Sequence, residues 1–152
     1  VTLHRPNSEL VAVAWVRGVP GIPAGAVGTT LPGDSNAWPD GFVQIGVVGG
    51  SPGRDVPERR PVLQLDFWAA GGSRPAWGRA NQLAERIVEH CYSSTVSAAT
   101  PVQRFVALPA GYLGARVQTA EVLREPRRLP ADEARYARYS LDLLLTWVEV
   151  AA

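Results

Sequence analysis

The chain has 152 residues, 46% of them hydrophobic and 8% aromatic, with 15 Gly, 13 Pro and a formal net charge of +1. This fits one packed domain that buries roughly 70% of the surface its unfolded chain would expose. The near-neutral charge excludes a general polyanion-binding surface but leaves room for a local basic patch. The longest apolar run, Leu10–Val16, is far too short to span a bilayer, and no charged segment before it marks a secretory signal.

All 15 basic residues are Arg. With abundant Ala, Gly, Pro and Val, that points to a high-GC genome, so part of the Arg enrichment needs no functional reason. Cys91 is the single cysteine. No intrachain disulfide can form, and a reducing compartment is the expected home. Val at position 1 fits a chain whose initiator residue has been removed.

The first predicted element is a helix from Ser8 or Glu9 to Arg17, with Ser8 as its N-cap and Gly18 and Pro20 as its stop. Its interior is apolar all round, so it must be covered on more than one side. Residues 18–40 hold one short extended piece, Val27–Leu31. A strand at Phe42–Val48 is entered through Asp40-Gly41, and that turn signal predicts an antiparallel pair between the two. Gly49–Arg60 is expected to be a loop. Pro61–Ala70 alternates, with Leu63, Leu65, Phe67 and Ala69 on one face and Gln64 and Asp66 on the other. Pro61 should start that strand or lie at an edge.

After Gly71–Pro75 comes the main helix, about Trp77 to Tyr92. Its apolar stripe is Ala80, Leu83, Ala84, Ile87, Val88 and Cys91. Residues 93–114 form a long connection around an apolar piece, Val102–Leu108. Arg116–Arg124 reads as a strand ended by Pro126, and Arg127–Ala134 as a turn. The last strand, Tyr136–Val150, places Tyr139, Leu141, Leu143, Leu145 and Trp147 on one face. At ~3.3 Å per residue it is about 40–50 Å long, more than a domain of this size needs. Its first part, Ala134–Tyr139, is therefore expected to serve a neighbour. The order predicts a single α+β domain: a mostly antiparallel sheet of about five strands with two helices on one face.

Catalytic chemistry is hard to place on this chain. His4 is isolated, and His90 and Cys91 are helix neighbours ~100° apart, so they share neither a metal nor a nucleophile–base geometry. The stretch "WAAGGSRPAWGRANQ" (68–82) has the strand–loop–helix order of phosphate sites but matches neither GxxxxGK[ST] nor GxGxxG. Asp66 and Asp142 sit on polar strand faces, where an Arg-paired or solvated carboxylate is the default. No catalytic residue, metal or cofactor is expected, and the chain reads as a non-enzyme.

Two features stand above background. Arg59-Arg60-Pro61 and Pro126-Arg127-Arg128 each set an Arg pair beside proline at a loop–strand junction. They either pair with Glu58 or Glu125 on the surface, or meet carboxylates of another subunit or DNA phosphates. Tyr136 and Tyr139, on the approach to the last strand, join them as candidate subunit-interface or channel residues. Trp38 and Trp77, in or beside loops, are either core or interface anchors.

The segments "ELVAVAWVRGVPGIP" (9–23), "TTLP" (29–32), "GFVQIGVVGG" (41–50), "RRPVLQLDFWA" (59–69), "WGRANQLAERI" (77–87) and "EPRRLPADEARYARYSLDLLLTWVEV" (125–150) resemble tail terminator proteins of long-tailed phages of high-GC bacteria. The likeness covers nearly the whole chain. Its most specific parts, "RRPVLQLDFWA" and "PRRLPADEARYARYSLDLLL", are not active-site motifs. The resemblance implies a small α+β structural protein that forms a homohexameric ring on the last ring of the major tail tube protein. Such a ring stops tube polymerisation, offers a docking surface to the head-closure or neck connector protein, and lets DNA pass without reading it. It implies a place at the tail–neck junction of the virion after assembly in the host cytoplasm, with no membrane partner. A head-closure or other neck connector protein is the alternative within virions. A small-ligand-binding α+β domain is the alternative outside them.

Overall fold

The computed structural model describes residues 2–71, 76–92, 104–129 and 136–150. Among these residues six strands form one mixed sheet: β1 (Val27–Gly28), β2 (Phe42–Pro52), β3 (Glu58–Ala70), β4 (Arg104–Val106), β5 (Gly114–Arg128) and β6 (Tyr136–Val150). Their spatial order is β1-β2-β3-β6-β5-β4, and the sheet curls into a half-barrel with two helices, α1 (Ser8–Arg17) and α2 (Trp77–Cys91). The α+β reading holds, with six strands rather than about five and one parallel pair.

The inner face carries the core. Val43 and Ile45 of β2, Leu63, Leu65 and Phe67 of β3, and Leu141, Leu143, Leu145 and Trp147 of β6 are all buried there with residues of α1 and α2. The alternation of β3 and β6 dictates this, because residues two apart share a face. Helix α2 lays Ala80, Leu83, Ala84 and Ile87 on the sheet, with Val88 and Cys91 partly buried. Helix α1 is buried at Val11, Ala12, Val13, Trp15 and Val16. Its all-round apolar interior is covered by this chain's own β1, β2, β3 and β4.

Several expectations are corrected. The α1 N-cap is Asn7, whose side chain accepts from the Leu10 N–H at 2.8 Å. Ser8 accepts instead from the buried Trp147 Nε1–H at 3.0 Å. Strand β1 is only two residues long and pairs with β2 in parallel. Residues 29–41 provide the crossover that a parallel pair requires. Gly41 at its end has φ +99, and a Cβ there would meet Leu83 Cδ1 at 2.6 Å. The turn signal at Asp40-Gly41 was thus a backbone requirement of the crossover, not of a hairpin.

The expected loop at 49–60 is mostly strand, since β2 continues to Pro52 and β3 begins at Glu58. Pro61 lies inside β3, a central strand, opposite Gly50. The register slips between Val47 and Gly49, and Gly50 has φ +94. That bulge is the local irregularity that tolerates a proline. Pro126 likewise does not end β5, which runs on to Arg128 through register shifts at Val122/Arg124 and Arg124/Arg127. On this outermost stretch of β5 a missing N–H is tolerated beside a bulge. Strand β4 falls within the apolar piece 102–108, and the turn expected at Arg127–Ala134 begins as strand through Arg128; residues 72–75, 93–103 and 130–135 lie outside the described residues.

Strand β6 has the bounds its alternation predicts. Its length is used within the chain, because it pairs with both β3 and β5, each 13 or 15 residues long. Tyr136 to Tyr139 pair with Ala70 to Phe67 of β3, so the described part of the segment expected to project is an ordinary part of the sheet.

Candidate functional site

Both Arg pairs lie inside strands, not at loop corners. Consecutive strand residues face opposite ways, so each pair splits across the sheet. Arg59 lies opposite Trp147, with its guanidinium 5.2 Å from the centroid of that indole. Arg128 lies opposite Tyr139, with its guanidinium 4.1 Å from the ring centroid of Trp77 on α2. Their partners reach carboxylates instead. Arg60 Nε is 2.8 Å from Glu58 Oε1, and Arg127 Nη2 is 3.9 Å from Asp142 Oδ1. One arginine of each pair packs on an aromatic ring and the other takes an acid. Such cation–π contacts are worth about 0.5–2 kcal/mol, the more when desolvated.

The two tyrosines occupy opposite faces. Tyr139 makes an edge contact with Trp77, with ring centroids 6.2 Å apart, beneath Arg128. Tyr136 lies 5.7 Å from Trp38 and joins a small cluster with Ala26 and Phe42. Trp38 is buried, and its Nε1–H donates to the Pro32 carbonyl at 3.1 Å. It is core rather than an interface anchor.

The outer face of the sheet holds a polar network spread over four strands. Arg138 Nη2 donates to Asp66 Oδ2 at 2.8 Å, and the Gln64 amide donates to Asp66 Oδ1 at 3.1 Å. The Arg138 guanidinium lies 5.0 Å from the Trp68 ring centroid, and the Trp68 Nε1–H donates to Gln44 Oε1 at 3.1 Å. Asp142 is held by Arg124, whose Nε lies 3.5 Å away, and by Arg127. The two strand-face aspartates are therefore each Arg-paired. Between them Ser140 is fully buried, and its Oγ, Arg127 Nη1 and Arg138 Nε have no hydrogen-bond partner among the described residues.

Arg138 was not singled out by sequence. The signal was weak: one arginine among fifteen, at a polar position of an alternating strand. Its significance lies in register, which sets it opposite Trp68 and diagonal to Asp66.

The remaining candidates stay apart. His4 lies against Tyr112, with centroids 6.0 Å apart, far along the chain from His90 and Cys91. Burial pushes the Cys91 thiol up to about 12, which keeps it protonated and non-nucleophilic at neutral pH. Among the described residues no group of three His, Cys, Asp or Glu side chains is placed to hold a metal ion. Among them too, no helix is long and apolar enough to cross a membrane. Among the described residues a cleft of about 370 Å³ lies between α1 and the β4 region, lined by Leu10, Val13, Trp15 and Phe105.

No protein-family model matches the chain, and no curated protein does. Among solved structures, it shares its fold with a chain of the structure described as "Virion of native gene transfer agent (GTA) particle". The TM-score is 0.50 at 12% sequence identity, over 93% of this chain and 85% of that one.

Proposed function

We propose that this chain is a structural virion protein: a tail terminator that caps the head-proximal end of a tail tube as a homomeric ring. In this reading it stops tube polymerisation, offers the docking surface for the neck, and lets DNA pass through the lumen. It performs no catalysis and holds no cofactor. The observation that carries the reading is the fold shared along nearly the whole chain with a component of a gene transfer agent virion. The resemblance of residues 9–150 to tail terminators supplies the finer assignment.

The architecture supports it physically. The polar groups that would mark an active site are spent on holding the sheet: Asp66 by Arg138 and Gln64, Asp142 by Arg124 and Arg127. What remains on offer are strand edges and exposed apolar residues, which serve assembly.

Deleting the gene from its particle tests the role. The terminator reading expects tubes of uncontrolled length beside filled heads that lack tails. Tails of normal length that fail to join heads would transfer the chain to the neck, and normal infectious particles would overturn a structural role altogether.

A further inference from the structure

The sheet has two incompletely covered edges. On one side β1 pairs with β2 only at Val43 and Gln44, so among the described residues β2 is free from Ile45 onward. On the other side β4 pairs with β5 only at Ala115, Arg116 and Val117, so among the described residues β5 is free from Gln118 onward. Each free stretch ends at a distortion. The β2 register slips between Val47 and Gly49, and the β5 register between Val122 and Arg124. Two short windows of regular strand remain, 45–47 and 119–122, the second also preceded by a slip between Val117 and Thr119.

From these windows we infer that copies of this chain join edge to edge, β5 of one copy pairing antiparallel with β2 of the next. Direction follows from topology. β2, β3, β6 and β5 alternate in sense, so a neighbour that continues the sheet presents its β2 antiparallel to β5. The ends of the windows also match. In this arrangement the far end of β2 would run into the neighbour's β4, and the far end of β5 into the neighbour's β1. Both strands bend where that collision would begin: at the slip with Gly50 (φ +94), and at the slips flanking Pro126.

The side chains fit the same register. Matching inner face to inner face sets Val47 opposite Ala120 and Ile45 opposite Val122, which prolongs the buried apolar row. Val47 is 45% exposed and the bulged Val48 and Leu123 are 59% and 49% exposed, all three at these edges. The outer face sets Gly46 opposite Glu121. Pairing β5 with β5 about a two-fold axis at Glu121 would instead place Glu121 against Glu121, a like-charge pair. Pairing β2 with β2 would leave every β5 edge bare. The β5-to-β2 contact satisfies both edges of every copy with a single kind of interface, and such a head-to-tail contact closes into a ring or grows as an open chain. The inference rests on the ring reading for closure alone.

Cysteine cross-linking of the full chain tests it. A Cβ at Gly46 meets nothing within 4 Å, and Glu121 is exposed, so Gly46→Cys and Glu121→Cys leave the fold undisturbed. The partly buried Cys91, present in every variant, makes the unsubstituted chain the control. Under oxidation at the highest soluble concentration, a mixture of the two single variants should give heterodimers. The double variant should give a ladder of linked copies. Gly46→Glu, which faces Glu121, should weaken self-association about fivefold, and adding Glu121→Arg should restore it. No cross-link and no charge effect, or homodimers from either single variant, overturns the edge contact. Rings imaged without these cross-links overturn it while sparing the terminator reading. Linked copies that never close into rings support it and count against that reading.

Discussion

The Arg138–Asp66 pair stands at the centre of the outer face, and its worth can be measured by a double-mutant cycle. The Asp66 side chain is 10% exposed and that of Arg138 26%, with 2.8 Å between their atoms. Arg138→Ala removes this charge-assisted bond and the contact with Trp68, and leaves Asp66 with only the neutral Gln64 amide. Breaking a fully buried pair costs about 3–5 kcal/mol. With Arg138 about a quarter exposed, solvent screening reduces this to about 2–3 kcal/mol. Asp66→Ala removes one acceptor and strands a guanidinium that can turn to water, at about 1–2 kcal/mol. Once either partner is gone, removing the other costs little, so the coupling energy should be about 1–2 kcal/mol. Urea unfolding of the four proteins gives these values if the slope is unchanged across the set. Arg138→Lys should fall between, since it keeps the charge but loses the planar face that lies on Trp68. A coupling below about 0.5 kcal/mol would show a screened surface contact and refute the reasoning.

Three further outcomes follow from the core and the buried thiol. Leu143 is fully buried on the inner face, so Leu143→Ala should cost about 2–5 kcal/mol and lower Tm by on the order of 10 °C, read by calorimetry. Tyr136 is half-buried against Trp38, so Tyr136→Ala should cost about 1–2 kcal/mol and alter indole fluorescence; unchanged stability and spectrum would detach the start of β6 from the fold. The folded Cys91 thiol is pushed up to about 12 from 9.0. Between those values the unfolded chain loses a proton that the folded chain keeps, so stability should fall as pH rises from about 9 towards 12. Cys91→Ala should flatten that fall, and disulfide-exchange reagents should label the native thiol only on unfolding.

What the sequence disclosed was local. The alternation of Leu63, Leu65 and Phe67, and of Leu141 to Trp147, placed two long strands with their buried faces, and the 80–91 stripe placed α2. These segments are legible because period and burial agree along one stretch of chain. Pro61 and Pro126 read as boundaries because a proline's effect depends on whether a bulge accompanies it, which only the partner strand decides. The extended piece at Val27–Leu31 was placed beside β2, but its two-residue length and parallel sense were not legible, because Asp40-Gly41 serves a crossover as well as a hairpin.

The Arg pairs stood out as composition, yet their roles were not readable. Arg59 meets Trp147 across nearly ninety positions, and Arg128 meets Trp77 across about fifty. Arg138 was passed over for the same reason. Its ring partner is fixed by β3–β6 register, and so is its carboxylate. The length of β6 was read correctly and its purpose was not, because its two neighbours, of 13 and 15 residues, together pair along its whole length.

A reconstruction of the intact virion locates the chain in the particle. On the terminator reading it shows a closed ring seated on the head-proximal end of the tail tube, with β5 of each copy beside β2 of the next and the lumen open to DNA. Density for the chain elsewhere in the particle, or its absence from the particle, would contradict it.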